Sequence, residues 1–541
     1  MLDQLPPIPE IPEEQLTPVI KILLEILQRQ TLQIAHLKEE NQKLKDEIAL
    51  LKKGNPRPKI QPSQLEKQEK PQVNNGKRPG SAKRSKTKDL KIHHTERIKP
   101  ENIPSDAIFK DLHSFVVQDI RIENHNILYH LERWEGADGS YHVGKLPENI
   151  PGHFGVTLTS YILYQYYGAL VTRPFLLKQL HEFGVDISRG QLNNILIQGK
   201  ESFFQEKADI LSTGLQVSNY IQTDDTKARH AGKNGFCTVI ASEFFTWFSS
   251  TNSKSRINFL NLLHGDSVKY KINEDSLIYI SANKGMELIA EKLEKYTTKS
   301  FENEWAWLEH LKALNITKPL ETRIATEGAL FGSLIAHGIP KDLAILSDDA
   351  GQFDVFDHFL CWIHEERHLK AILPYNEQNR LEIENILERF WELYRGLKEY
   401  QKSPVEIKQL SLEHEFEILF KTETANYALN LALRNIYNKK EELLKVLKRP
   451  EVPLHNNGSE QEIREYVKRR KISGGTRNNI GKACRDTFTS LKKTCYKLGV
   501  AFWDFLTDRV NGRRTIEYLP VIIQNRSLKF PISSMQMTIV A

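Results

Sequence analysis

The stretch YIQTDDTKARHAGKNGFCTVIASEFFTWFSS, residues 220–250, decides the fold. NYIQTDD, at 219–225, runs β-branched and aromatic residues into Asp224 and Asp225, the pattern of a strand that ends in acids. GFCTVIAS and EFFTWFSS read as two further strands, and HAGKNG supplies the Gly and Asn of a tight turn between the first two. Neighbouring strand residues point to opposite faces, so only one of Asp224 and Asp225 can serve a given face.

Working outward, a charged insertion occupies roughly 265–322, EGALFGSLIAHG reads as a helix, and DLAILSDD as another strand ending in acids, Asp348 and Asp349. Strand, strand, strand, helix, strand is the order of an RNase H-like core, which makes the chain α+β. The core's first part spans 211–375. Residues 376–448 read as a helical insertion with Ile383, Leu387, Phe390, Tyr394 and Leu397 on one side, and 449–510 as the last helical part of the core, carrying Glu460. A C-terminal tail, 511–541, follows.

Toward the N-terminus, residues 16–53 fall into heptads. Ile20, Leu27, Ile34 and Ile48 take a positions and Leu23, Leu37, Leu44 and Leu51 take d positions. Asn41 at a and Gln30 at d are the polar seam residues of a dimerising parallel coiled coil, so a homodimer or higher oligomer is expected. Residues 54–99 hold 13 Lys or Arg against 4 Asp or Glu and are rich in Pro, Gly and Ser, which reads as a basic flexible linker that attracts nucleic acid. Within 100–150 a small β-hairpin is expected from FVVQDIRIE and ILYHLERWE around Asn124, His125 and Asn126. Residues 151–210 turn helical, and FLLKQLHEFGVDISRGQLNNIL has a helix-turn-helix look: Gly184 allows the turn and Ser188 caps a second helix that carries Arg189 and Asn193, candidate DNA contacts.

A length of 541 residues, 40% hydrophobic and 27% charged, describes an ordinary soluble protein of several domains. No uncharged apolar run reaches membrane-spanning length, and the acidic, proline-rich start is not a secretory signal, so a cytoplasmic, nucleoid-associated protein without a membrane is expected. Cys237, Cys361, Cys484 and Cys495 include no CxxC pair and read as reduced thiols.

Asp224, Asp348 and Glu460 are the candidate catalytic and metal-ligating residues. Mg²⁺ or Mn²⁺ takes oxygen ligands, and in a two-ion site the attacking oxygen is activated at one ion while the leaving oxygen is stabilised at the other. The same acids also have plain readings: one Asp of each doublet meets solvent or a turn amide, and Glu460, three residues after Asn457, closes a capping box. From Glu460, Arg464, Lys468 and Lys471 recur near one helical face and are candidate DNA-phosphate contacts, with Arg229, His230 and Lys233 as further cations. His364-Glu365-Glu366-Arg367-His368 fits HExxH, the zinc peptidase pattern, but lacks an evident third ligand.

Three motifs occur in order: Thr223-Asp224-Asp225-Thr226; Ser347-Asp348-Asp349-Ala350-Gly351-Gln352-Phe353 with Cys361-Trp362-Ile363-His364; and Asn456-Asn457-Gly458-Ser459-Glu460-Gln461-Glu462-Ile463-Arg464 with Arg469-Arg470-Lys471 downstream. With them, from about Gly152 to Leu506, the sequence resembles the IS66-type DDE transposases. The resemblance implies metal ligands at Asp224, Asp348 and Glu460. It implies a DNA transposase of an insertion sequence, in which water attacks a scissile phosphate at the element end and the freed 3′-hydroxyl then attacks target DNA in line. It also implies DNA ends and target as partners, and leaves open whether small accessory proteins take part. The chain departs from the family at His455, where Asp is usual, and in the absence of a cysteine-rich segment from 100–150, which removes any zinc expectation there. The alternatives are a transposase-derived DNA-binding protein without catalysis and, through residues 364–368, a zinc metallopeptidase.

Overall fold

The structure, a computed structural model, describes residues 91–147, 152–265, 268–296, 299–374 and 376–529, together with Gln30. The remainder of the expected coiled coil, the linker up to residue 90 and the tail from 530 lie outside the described residues. The chain divides into two units, residues 30–125 and residues 1–29 with 126–541. In the first, described residues 91–125 form neither helix nor strand, and the alternating segment 115–123 leaves Phe115, Val117 and Ile120 exposed.

The expected hairpin is therefore corrected. It forms instead from β1 (Arg133–Glu135) and β2 (Tyr141–Val143), paired antiparallel with Arg133 opposite Val143. Its turn is set by Asp138-Gly139: Gly139 adopts a positive φ of 79°, and the Gly136 amide donates to the Ser140 carbonyl at 2.7 Å. Asp-Gly is the stronger turn signal, and it lies beyond Asn124–Asn126.

A helical layer follows: α1 (Val156–Leu163), which runs into a π-helical turn at Tyr164–Gly168, then α2 (Arg173–Glu182), α3 (Arg189–Ile197) and α4 (Glu201–Val217). Ser188 caps α3 in a capping box with Gln191. Leu176, Leu180, Leu192 and Leu196 hold α2 and α3 in the main core.

The central sheet contains β3 (Tyr220–His230), β4 (Lys233–Ala241) and β5 (Thr246–Thr251). After β5 come α5 (Arg256–His264), β6 (Tyr270–Lys271), α6 (Glu274–Ser281), α7 (Glu287–Glu294), β7 (Ser300–Phe301), α8 (Glu304–Ala313) and α9 (Pro319–Ala336). The sheet closes with β8 (Ala344–Ser347) and β9 (Asp357–Leu360), in the order β5-β4-β3-β8-β9. The β3, β4 and β5 strands are mutually antiparallel, whereas β8 lies parallel to β3 and β9 parallel to β8. The segment between β5 and α9 is charged in sequence yet well packed: Trp307 is buried, stacks on Tyr270 at 5.8 Å and donates its indole N–H to Thr326 at 3.0 Å.

Beyond the sheet lie α10 (Trp362–Lys370), the long insertion helices α11 (Glu377–Lys402), α12 (Glu406–Phe420) and α13 (Tyr427–Tyr437), and the short α14 (Lys440–Leu444). The chain then enters α15 (Asn457–Ser473), α16 (Asn479–Lys497), α17 (Phe502–Asn511) and α18 (Leu519–Lys529). On the insertion, Ile383, Phe390, Tyr394 and Leu397 are buried as expected from their spacing.

Helix α16 covers the edge of the sheet. The β5 amides of Thr246, Phe248 and Ser250 donate to the side chains of Thr494 (3.1 Å), Ser490 (2.9 Å) and Asp486 (2.7 Å). Four helical residues advance about 6 Å and two strand residues about 6.6 Å, so polar side chains at i, i+4 and i+8 match alternate strand amides. An otherwise exposed edge is thereby satisfied.

Candidate active site

The register of β3 and β8 sets Gln222 opposite Leu346, and carried two residues further it brings Asp224 level with Asp348. Strands so paired lie about 4.8 Å apart. Gln222 accepts a hydrogen bond from the backbone of Ser459 at 3.1 Å, and alternation gives Asp224 the same face of β3, toward α15.

Within each acidic doublet the two carboxylates differ. Asp225 is held by Lys254 at 3.2 Å and by the Gln352 amide at 2.8 Å, and Asp349 by Lys439 at 2.6 Å. Asp224 accepts from the Asp225 backbone N–H at 2.7 Å, and Asp348 from the Ala350 N–H at 3.3 Å. Neither Asp224 nor Asp348 has an ion pair among the described residues. Lysines thus neutralise one acid of each doublet and leave its neighbour uncompensated.

The third acid is delivered by a helix that docks directly on β3. The Asn456 side-chain amide donates to the Thr223 carbonyl at 2.8 Å, and the Asn456 backbone N–H to the Cys361 sulfur at 3.2 Å. Ser459 donates to the Asn456 side-chain oxygen at 2.6 Å. A methyl on Gly458 would stand 2.3 Å from the Gln222 side-chain oxygen, so glycine is required for the approach. Glu460 lies in the first turn of α15, and its backbone N–H bonds the Asn456 carbonyl at 3.2 Å rather than closing a capping box with Asn457. Its carboxylate meets the Arg367 guanidinium at 3.1 and 3.4 Å, with His364 and Arg464 each at 3.8 Å.

These acids act on one another. Burial, and then the charge of Asp348, raise the Asp224 carboxyl from its ordinary 3.8 to about 7, with Asp225 and Glu460 adding to the rise. Asp225 is also raised, chiefly by burial, against the pull of Lys254. Mutual repulsion between carboxylates is relieved by a cation. The donor set is all oxygen, which fits a hard divalent ion such as Mg²⁺ or Mn²⁺. Among the described residues no three His, Cys, Asp or Glu side chains are closed into a metal cage, and Glu460 is turned to Arg367. Asp224 and Asp348 therefore fit such an ion directly, and Glu460 fits once released from its arginine.

The other candidates vary. Arg189 is exposed at the start of α3, while Asn193 is taken by the Arg173 guanidinium at 2.7 Å. On α15, Lys468 and Lys471 are exposed, whereas Arg464 turns to Glu460. His230 bonds Thr476 at 2.9 Å and Asn479 at 3.0 Å, and Arg229 the Gly232 carbonyl at 3.2 Å. In the HExxH helix, Glu365 is buried against Lys439 at 2.9 Å and His368 at 3.3 Å, so its carboxylate is already engaged. Burial, and then Arg367, lower the basicity of His364.

Sequence reasoning missed Lys254, Gln352, Lys439 and Arg367. Gln352 lies four residues after Asp348 and was within reach of a local reading; the three cations come from other elements and give no local signal. A cleft of about 420 Å³ beside Asp225 is lined by Lys254, Ser255, Arg256, Arg323, Glu327 and Gln352, among others. Across it, Arg256 bonds the Gly351 carbonyl and Asp354, both at 2.9 Å.

Comparison with known proteins bears on this geometry. Residues 350–483 match the family described as Transposase IS66 family, a segment that contains Arg367 and Glu460 and begins just after Asp348. The chain is also 38% identical over 303 residues to the uncharacterized protein y4jO of Sinorhizobium fredii, covering 56% of this chain and 94% of that protein. The chain belongs to the IS66 transposase family.

Proposed function

We propose that the protein is a DNA transposase that cuts the ends of an insertion sequence and joins the 3′-hydroxyl to target DNA, with Asp224, Asp348 and Glu460 as its catalytic carboxylates on an RNase H-like sheet. The observation that carries this reading is the paired-and-unpaired doublet. Lys254 and Lys439 neutralise Asp225 and Asp349, and the carboxylates left uncompensated among the described residues, Asp224 and Asp348, lie within β3 and one residue past the end of its parallel neighbour β8. An uncompensated acid pair destabilises a fold unless a cation joins it, so its presence in a rigid sheet argues for function.

When bound, Mg²⁺ or Mn²⁺ supplies positive charge to the attacking and leaving oxygens of an in-line displacement at phosphorus. Asp224, Asp348 and Glu460 would hold it. Asn456 and Gly458 fix the start of α15 against β3, so Glu460 is carried by rigid backbone. Lys254, Arg256 and Arg323 line the adjoining cleft in ion pairs with Asp225, Asp354 and Glu327, and Arg189, Lys468 and Lys471 offer sequence-independent phosphate contacts elsewhere. Asn193 would act through Arg173, whose guanidinium it holds. The heptads of residues 16–53 would pair two chains, which suits a reaction on two DNA ends.

The test is cleavage and joining of labelled element-end DNA in Mg²⁺ or Mn²⁺ by the full chain, by Asp224→Asn and by His364→Ala. Loss with Asp224→Asn supports the assignment. Full cleavage by Asp224→Asn rejects it, and binding of the ends with no cleavage by the unaltered chain identifies a non-catalytic derivative.

A further inference from the structure

We infer that Arg367 is a positioning residue for Glu460: it neutralises this carboxylate while no ion is present, and Glu460 joins Asp224 and Asp348 as a ligand by giving up the guanidinium. The inference rests on the function proposed above and assigns a role to a side chain that it leaves unused.

The geometry is that of a competitor. The guanidinium of Arg367 presents two nitrogens to the two oxygens of Glu460, at 3.1 and 3.4 Å, the forked pairing that matches a carboxylate best. His364 Nε2 lies 3.1 Å from the same guanidinium and steadies it. Glu460 is 15% exposed, whereas Arg367 is 39% exposed and has the room to swing toward solvent. Both backbones are tied to each other around the pair: the Trp362 N–H donates to Leu454 at 3.0 Å and the Asn456 N–H to Cys361 at 3.2 Å. The exchange therefore needs rotation of side chains alone.

Arg464, one helical turn from Glu460 at 3.8 Å, is a looser contact and does not substitute for the fork. Among the described residues Asp224 and Asp348 have no such clasp. Arg367 and the ion draw on the same carboxylate, so each weakens the other's hold by an equal factor. Once released, the planar guanidinium has given up its Glu460 partner, and a DNA phosphodiester is an anion whose shape suits it.

The experiment is Mn²⁺ binding to the full chain without DNA, followed by electron paramagnetic resonance of the free ion. Arg367→Gln is expected to bind Mn²⁺ about fivefold tighter than the unaltered chain, with Arg367→Lys in between. Adding Arg367→Gln to Glu460→Gln is expected to change Mn²⁺ affinity no further. A role limited to stability would lower affinity in both arginine variants, and unchanged or weaker Mn²⁺ binding by Arg367→Gln and Arg367→Lys overturns the inference. Asp224→Asn separates this from failure of the underlying reading: Mn²⁺ binding that survives Asp224→Asn rejects the carboxylate site itself, whatever Arg367 does.

Discussion

The acids within β3 and just past the end of β8 and the acids on α10 and α15 live under different rules. On the helices, acids near the site find partners within one turn: Glu365 has the His368 imidazole, Glu366 has Lys370 and Glu460 has Arg464, besides the longer-range Lys439 and Arg367, while Glu462 and Glu465 meet lysines of α16. Helical geometry makes side chains three and four apart neighbours, so compensation is close at hand. On a strand the next residue points to the other face, and a partner must come from elsewhere in the fold. Lys254 and Lys439 arrive to neutralise Asp225 and Asp349, and nothing comparable reaches Asp224 or Asp348 among the described residues. The central sheet is where this protein can keep carboxylates in reserve for an ion.

The sharpest attempt to break this contrast is substitution within the doublets. Asp224→Asn and Asp348→Asn are expected to lower DNA strand cleavage by about a thousandfold or more, and Asp225→Asn and Asp349→Asn by less than about tenfold. Gel assays of labelled element ends read this, and the reverse ranking would show that the lysine-bound acids are the working ones. Next in size is the docking of α15 on β3. Asn456→Ala removes the bond to the Thr223 carbonyl, and Gly458→Ala forces a methyl toward Gln222. Each is expected to cost about 1–3 kcal/mol in denaturant unfolding and to lower cleavage as well.

The reserve of charge on the sheet also predicts a pH dependence. The Asp224 carboxyl titrates near 7 in the folded protein against an ordinary 3.8. Folding therefore favours its protonated form: this contribution to stability is complete below about pH 4 and is lost as pH rises through 7. Without divalent ion, Asp224→Asn should thus be more stable than the unaltered chain above pH 7, by on the order of 2 kcal/mol, and show little difference at pH 4. Equal stability at both pH values would mean that Asp224 is compensated after all.

Away from the acids, Ser490→Ala strips the Phe248 amide of its acceptor and should cost about 1–2 kcal/mol, measured by thermal melting. The smallest effect is expected on the exposed face of α15. Lys468→Ala should weaken DNA binding slightly and lower its salt dependence by about one phosphate contact, read from binding isotherms at several salt concentrations.

Much of this was legible in the residues. β-Branched and aromatic runs leading into Asp-Asp marked β3 and β8, but only β8 stops before its acids, at Ser347; β3 runs on through Asp224 and Asp225 to His230, because its antiparallel pairing with β4 carries the ladder past them. The start of α3 followed from the cap at Ser188, which the structure completes into a capping box with Gln191. The hairpin was misplaced because alternation in FVVQDIRIE outweighed the turn chemistry of Asp138-Gly139. Packing against a partner face, which those residues lack among the described residues, is what turns alternation into a strand.

The sequence by itself determined which acids existed, which elements bore them, and through its ordered motifs the family to which the chain belongs. Only the tertiary structure decided which carboxylates are neutralised and which are not. The reason is that Lys254, Lys439 and Arg367 lie between 29 and 93 residues from the acids they meet, and ion pairs over such separations are set by how helices and strands pack, not by spacing along the chain.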